Sequence, residues 1–157
     1  MENQQAPLKY EKIWKKVLNN DEKVEYEFTV STTYVVVAGI ISILFSLVFI
    51  GISMNAGIFV FALVVFYWFY YKKNANAYAF TDKRVVIHKG LWSTKTISIN
   101  YEKITDLEVK DAFGLGNLII NTAGKPISEG VLLNISNPYE IKKKLTDLIE
   151  SIKKPSN

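Results

Sequence analysis

The chain has 157 residues, of which 49% are hydrophobic and 13% aromatic, and its formal net charge is +4. This composition is too apolar for a disordered chain, and the length suits about one domain. The absence of cysteine excludes disulfides, thiolate metal ligands and cysteine nucleophiles.

Residues 1–33 are predicted to form an N-terminal cytoplasmic segment that contains a short helix and a strand. Apolar residues recur at helical spacing within residues 8–18, where Trp14 lies among lysines. This amphipathic helix has two candidate positions, the surface of a membrane and the surface of the globular domain. Polar and apolar residues alternate along residues 22–30, which predicts a strand or an extended lead-in to the membrane.

A run of 44 residues, from Phe28 to Tyr71, contains no Asp, Glu, Lys or Arg. A membrane-spanning helix needs ~20 apolar residues; residues 34–53 supply that length, and residues 56–71 are somewhat shorter. Turn-forming residues lie near the boundary between these two stretches: Gly51, Ser53, Asn55 and Gly57. The run therefore predicts a two-helix transmembrane hairpin over residues 34–73, the alternative being a helical hairpin buried in a soluble core.

The charges that flank this run predict how it is oriented. Lysines lie on both sides and the turn has no charge, so the positive-inside rule predicts a multi-pass protein of the cell membrane with both termini cytoplasmic. Aromatic residues at the end of the run are expected at the membrane interface: Tyr67, Trp68, Tyr70 and Tyr71. Cations near the membrane exit are expected either to contact anionic lipid headgroups or only to set the orientation: Lys72, Lys73, Lys83, Arg84 and Lys89.

Residues 74–157 are predicted to form a cytoplasmic antiparallel β-sandwich or open barrel that a C-terminal helix caps. Short alternating runs between turn residues predict six strands: 78–81, 84–88, 95–99, 105–110, 117–121 and 131–135. Asn137, Pro138 and Glu140 form a helix start. An apolar stripe at helical spacing follows: Ile141, Leu145, Leu148, Ile149 and Ile152.

No combination of residues has the spacing of a catalytic or metal-binding site. The single histidine, His88, has no nearby ligand partners, and Asp106, Glu108 and Asp111 fit the solvated face of a strand. The sequence Gly114-Leu115-Gly116 fits a turn, because the rest of a phosphate-binding loop is missing. The chain is therefore expected to be no enzyme and to bind no cofactor, metal or nucleic acid, since acidic residues are spread among the basic ones.

Three stretches in a fixed order carry a likeness to a known family. They read YAFTDKRVVIHKGLWSTKTISINYEKITDLEVK, GLGNLIINTAG and LLNISNPYEIKKKL, and with the hairpin before them they resemble the bacterial pleckstrin-homology (PH) domain of the YdbS type. The matching residues are Thr81, Asp82, Arg84, Gly90, Ile99, Lys103, Ile104, Gly114, Gly116, Ala123, Gly124, Asn137 and Pro138.

The resemblance implies a membrane-tethered PH-like domain without catalytic activity. Such a domain is expected to bind another protein, a second PH-repeat membrane protein among the candidates, or to self-associate. The alternative function is immunity or resistance to membrane-active bacteriocins on the same scaffold. A third hypothesis, an intramembrane enzyme or transporter, would need an ionisable residue in the spans, and the sequence has none there.

Overall fold

The computed structural model describes residues 8–50, 54–67, 76–90, 94–112, 114–123 and 130–153. A short 3-10 helix, Tyr101–Lys103, joins the fourth and fifth strands. The helices and strands are, in chain order, α1 Glu11–Val17, β1 Val24–Thr29, α2 Thr32–Ile50, α3 Met54–Phe66, β2 Asn76–Thr81, β3 Arg84–Lys89, β4 Lys95–Asn100, β5 Ile104–Ala112, β6 Leu115–Thr122, β7 Gly130–Ser136 and α4 Pro138–Lys153.

The strands form two antiparallel sheets, of order β1-β2-β3-β4 and β5-β6-β7. Alternation along the strands directs one apolar face of each sheet into a shared core, where Tyr78 and Phe80 of β2 meet Leu118 and Ile120 of β6. The first sheet includes β1, in which Phe28 pairs with Tyr78. The predicted β-sandwich is confirmed, whereas the division of the chain at residues 33 and 73 stays a prediction.

Helix α4 closes the sandwich, as its apolar stripe predicts. Its first turn begins after Asn137, whose carbonyl accepts hydrogen bonds from the N–H groups of Glu140 and Ile141 at 3.0 and 3.2 Å. Leu145 is fully buried in the core. Ile141, Leu148 and Ile149 are partly buried against the same core, so the stripe supplies one wall of it.

Helix α1 packs on the outer face of the four-stranded sheet, which decides between its two candidate positions. Ala77 and Ala79 leave room there for Trp14, which is buried against them and Val86. The Glu27 carboxylate accepts a hydrogen bond from Trp14 Nε1 at 3.1 Å and from two backbone N–H groups that precede the helix. Glu27 therefore fixes both the indole and the start of α1 to β1.

The uncharged run forms α2 and α3, which are inserted between β1 and β2. Over the parts of the chain that the structure describes, neither helix is long and apolar enough to cross a membrane. The predicted transmembrane spans are therefore wrong, as are the multi-pass membrane localisation and the integral membrane partner that depended on them.

The second helix, as described, is shorter than the span predicted for it. Within the described residues α3 runs over Met54–Phe66, which is 13 residues, against the predicted 56–71. Such a helix is about 20 Å long, against the ~30 Å of a bilayer's hydrocarbon core. Asn55 and Gly57, which were expected in the turn, lie within α3, and residues 51–53 lie outside the described residues.

Candidate functional site

The α2–α3 hairpin presents a broad apolar outer face. Neither helix contains a charged residue. Ile41, Leu44, Phe59 and Phe66 are each at least 60% exposed. The large apolar side chains of the described hairpin that are at least 39% exposed are Val36, Val37, Ile40, Ile41, Ile43, Leu44, Leu47, Ile58, Phe59, Leu63, Phe66 and Tyr67.

Among the described residues, small ones are buried on both helices of the hairpin. Gly39 and Ser46 of α2 and Gly57 of α3 are buried, which allows the two helices to approach closely. The hydroxyl of Ser46 donates to the carbonyl of Ser42 at 2.8 Å, and the Ser42 hydroxyl donates in the same way one turn earlier. These bonds satisfy both hydroxyls within α2.

A hydrogen-bonded joint fixes the base of the hairpin to the sandwich. The N–H of Ser31 donates to the carbonyl of Asn134 at 2.7 Å, and the hydroxyls of Ser31 and Ser136 lie 2.7 Å apart. The carbonyl of Ser31 also accepts a hydrogen bond from the N–H of Val35 at 3.2 Å, so α2 begins directly at this joint. Ser31 and Val35 are buried, so the sandwich holds the first turn of the hairpin in place.

Arg84, one of the cations expected near lipid, lies in a partly buried network, and its lipid contact stays a prediction. Its Nε and Nη2 donate to the two carboxylate oxygens of Glu22 at 2.9 and 2.8 Å. The hydroxyl of Thr81 lies 2.7 Å from Glu22 Oε1. Burial raises the pKa of Glu22, but hydrogen bonds from Arg84 and Thr81 outweigh this effect and hold the pKa below its usual value.

The other predicted lipid contacts do not join Arg84 in one described patch. Lys83 pairs with Asp21 at the exposed end of the β2–β3 turn. Lys89 lies at the opposite end of β3, about 17 Å from Arg84 along the strand, and its Nζ donates to the carbonyl of Val131 at 2.9 Å. Burial, together with the charge of Lys95, lowers the pKa of Lys89.

The remaining predicted contacts fall mostly outside the described residues. These are Lys72, Lys73, Trp68, Tyr70 and Tyr71. Tyr67 follows α3 directly and is 48% exposed. The lipid-contact and interfacial roles of all these residues stay predictions.

The residues considered for chemistry do not cluster. Within the described ranges, no group of three or more His, Asp or Glu side chains could hold a metal ion. His88 Nδ1 lies 2.9 Å from the hydroxyl of Thr96, and burial lowers the pKa of its imidazole. Asp106, Glu108 and Asp111 are exposed, as a solvated strand face requires.

Comparison with known proteins fits this fold. Residues 28–149 match the family described as bacterial PH domain. The chain belongs to the bacterial PH domain family. Proteins of the PH family are usually non-catalytic, and the YdbS-type assignment within the bacterial family stays a prediction.

Two solved structures share the PH fold of this chain at low sequence identity. One is a DUF1696 family protein with a pleckstrin-homology domain from Shewanella loihica PV-4, with 12% identity and a TM-score of 0.53, which covers 92% of this chain and 99% of its own. The other is a pleckstrin homology domain from Shewanella amazonensis SB2B, with 12% identity and a TM-score of 0.50, which covers 90% and 96%. No curated protein matches the chain.

The Glu22–Arg84 network shows what sequence reasoning missed in this PH domain. Arg84 was recognised as part of a Thr-Asp-x-Arg motif, and it is the only arginine in the chain. Its partner lies 62 residues earlier, on the other side of the hairpin insertion. The only available signal was a lone arginine in a lysine-rich chain, because arginine is the residue suited to bidentate pairing with a carboxylate.

Proposed function

We propose that this PH-domain protein is a non-enzymatic module that mediates protein interaction or assembly through the outer face of its α2–α3 hairpin. The observation that carries the proposal is the charge-free, outward-facing set of large apolar side chains on both helices. Contiguous exposed apolar surface of this kind marks an interaction site in a soluble domain, because leaving it in water is unfavourable.

The way the hairpin is held supports the same function. Ser31 anchors the first turn of the hairpin to β7. The strands that precede and follow the hairpin, β1 and β2, pair with each other in the first sheet. The PH sandwich therefore holds the first turn of the hairpin that carries the apolar face. Such pre-organisation lowers the entropy lost on binding.

Immunity to bacteriocins, the narrower role that the family resemblance suggested, stays a prediction. No contact or surface in the described residues favours it over a general interaction module.

Site-specific photocrosslinking in cells that produce the intact chain tests this function. We expect a photoreactive amino acid at Ile41, on the outer face of α2, to give protein adducts of defined mass. The matched control is Glu108, an exposed position on β5 of the sandwich, which should give few. The absence of protein adducts at Ile41, Leu44 and Phe59 alike, in chains produced at normal levels, would contradict the proposal.

A further inference from the structure

Part of the exposed apolar surface of the hairpin follows the spacing of helix-bundle seams. Val36, Ile40, Ile43 and Leu47 of α2 are separated by four, three and four residues, and all are at least 39% exposed. On α3, Phe59, Leu63 and Phe66 follow the same alternation of four and three, and each is at least 54% exposed. This spacing keeps an apolar seam facing a second helix that crosses at about 20°.

The charge content of the seams restricts what can cover them. A partner that brought a charged group onto this face would bury it without a counter-charge, because α2 and α3 contain no acidic or basic residue. A suitable occupant is therefore helical and uncharged over its contact surface.

The chain contains one described surface that meets this requirement, its own hairpin. The outward sides of the other two helices are charged, with Glu11 and Lys15 exposed on α1 and Lys143 and Glu150 exposed on α4. Within the described residues, the hairpin of a second copy is the apolar and helical surface that complements the first.

We infer that two copies of this chain associate through their hairpins to form a four-helix bundle. This inference rests on the proposed function and names its partner as a second copy of the chain. A two-fold axis brings the same face of each copy together, so the seam of α2 and the seam of α3 are both covered without any further protein. The PH sandwiches lie at the outside of the assembly, attached through the joints at Ser31.

The size of the face is sufficient for a stable dimer. With exposures of 39–66%, the exposed apolar side chains of the hairpin present on the order of 1,000 Å² per copy. A standard interface buries about 800 Å² per partner, so covering most of this surface reaches the size of a stable complex.

The absence of cysteine permits a direct test with the full-length purified chain. Single-cysteine variants carry the only thiol in the protein, so any disulfide that forms joins two copies. The Ile40→Cys and Phe59→Cys variants are oxidised at micromolar concentration, and the fraction of covalent dimer is measured. We expect rapid and near-complete dimer formation for at least one of them. Leu133→Cys, at a 38% exposed apolar position on β7, is the matched control and should stay largely monomeric.

The molar mass of the same chain gives a second readout that does not depend on a thiol. Light scattering after size exclusion should give twice the 17.9 kDa of one chain. An Ile40→Glu and Leu44→Glu double variant should fall to the mass of one chain, whereas Leu133→Glu should keep the doubled mass. Circular dichroism checks that each variant retains the sandwich.

Each other outcome counts against the inference. A native chain that is monomeric up to about 100 μM, or a dimer that the double variant leaves intact, would overturn it. If the purified chain is monomeric while photocrosslinking at Ile41 yields adducts with a different protein, the inference fails and the proposed function survives. A monomer that instead binds lipid vesicles through the hairpin, and gives no protein adducts, overturns both.

Discussion

Replacing Arg84 by methionine is expected to destabilise the fold by about 3–5 kcal/mol. The Glu22 side chain has no exposed surface, and Arg84 donates to both of its carboxylate oxygens. Removing the guanidinium leaves a buried carboxylate that keeps only its weaker bonds, from Thr81 and from the N–H of Asn19 at 3.3 Å. Breaking a buried ion pair at one partner costs this much because the remaining charge is uncompensated.

The reverse change is expected to cost less. Arg84 retains 21% exposure of its side chain, so in a Glu22→Gln variant the guanidinium still reaches water. The glutamine can also accept hydrogen bonds from Arg84 and Thr81, and the loss should be about 1–3 kcal/mol. A Glu22→Leu and Arg84→Met double variant removes both charges and should recover a large part of the loss seen with Arg84→Met alone.

Urea unfolding followed by circular dichroism measures these differences. Lys83→Met is the matched control, because Lys83 and Asp21 form an exposed ion pair at the same turn, and the midpoint should hardly move. An Arg84→Met variant within about 0.5 kcal/mol of the native chain, or a Glu22→Gln variant that loses more than Arg84→Met, would refute the reasoning.

Three further predictions concern pH and packing. Because the pKa of Glu22 is depressed in the folded chain, its stabilising contribution is present above the unfolded pKa and is lost as the pH falls through the folded value. Acid titration of the midpoint should therefore show a smaller loss in Glu22→Gln, and equal losses would contradict this. Gly116→Ala should destabilise more than Gly130→Ala in urea unfolding, because a Cβ would lie 2.2 Å from a backbone oxygen of β5 at Gly116 but 2.5 Å from a side-chain methyl at Gly130. Leu145→Ala should cost about 2–5 kcal/mol by the same assay and Ile152→Ala, at a 44% exposed position, much less, and similar losses would argue against the core assigned to α4.

Local sequence signals were sufficient for the sandwich and its closing helix. The alternation of Val85 and Ile87 with Arg84, Val86 and His88 predicted β3, and the side chains of Val85 and Ile87 lie in the core between the sheets. The helix start at Asn137 and Pro138 predicted α4, and the apolar side chains of this helix pack against the core between the sheets. These features depend on residues a few positions apart, so single-sequence patterns can detect them.

Features that depend on distant residues could not be predicted in the same way. The position of α1 depends on Ala77 and Ala79, which follow the hairpin and which nothing in residues 8–18 indicates. The charge-free run predicted two helices over residues 34–53 and 56–71, whereas the described helices are Thr32–Ile50 and Met54–Phe66, because the absence of charge does not fix where a helix begins or ends. The outer face of the hairpin became recognisable as a candidate site only once exposure separated its large residues from Gly39 and Ser46.

Removal of the hairpin is the most direct test of the claim that its outer face, and not the sandwich, is the association surface. Thr29 and Ala77 are register partners of β1 and β2, so an Asn-Gly turn can replace residues 30–76 as a two-residue hairpin loop. The molar mass of this shortened chain is then compared with that of the intact chain at equal concentration. The account predicts a folded, monomeric sandwich beside a dimeric intact chain, and a shortened chain that still associates would contradict it.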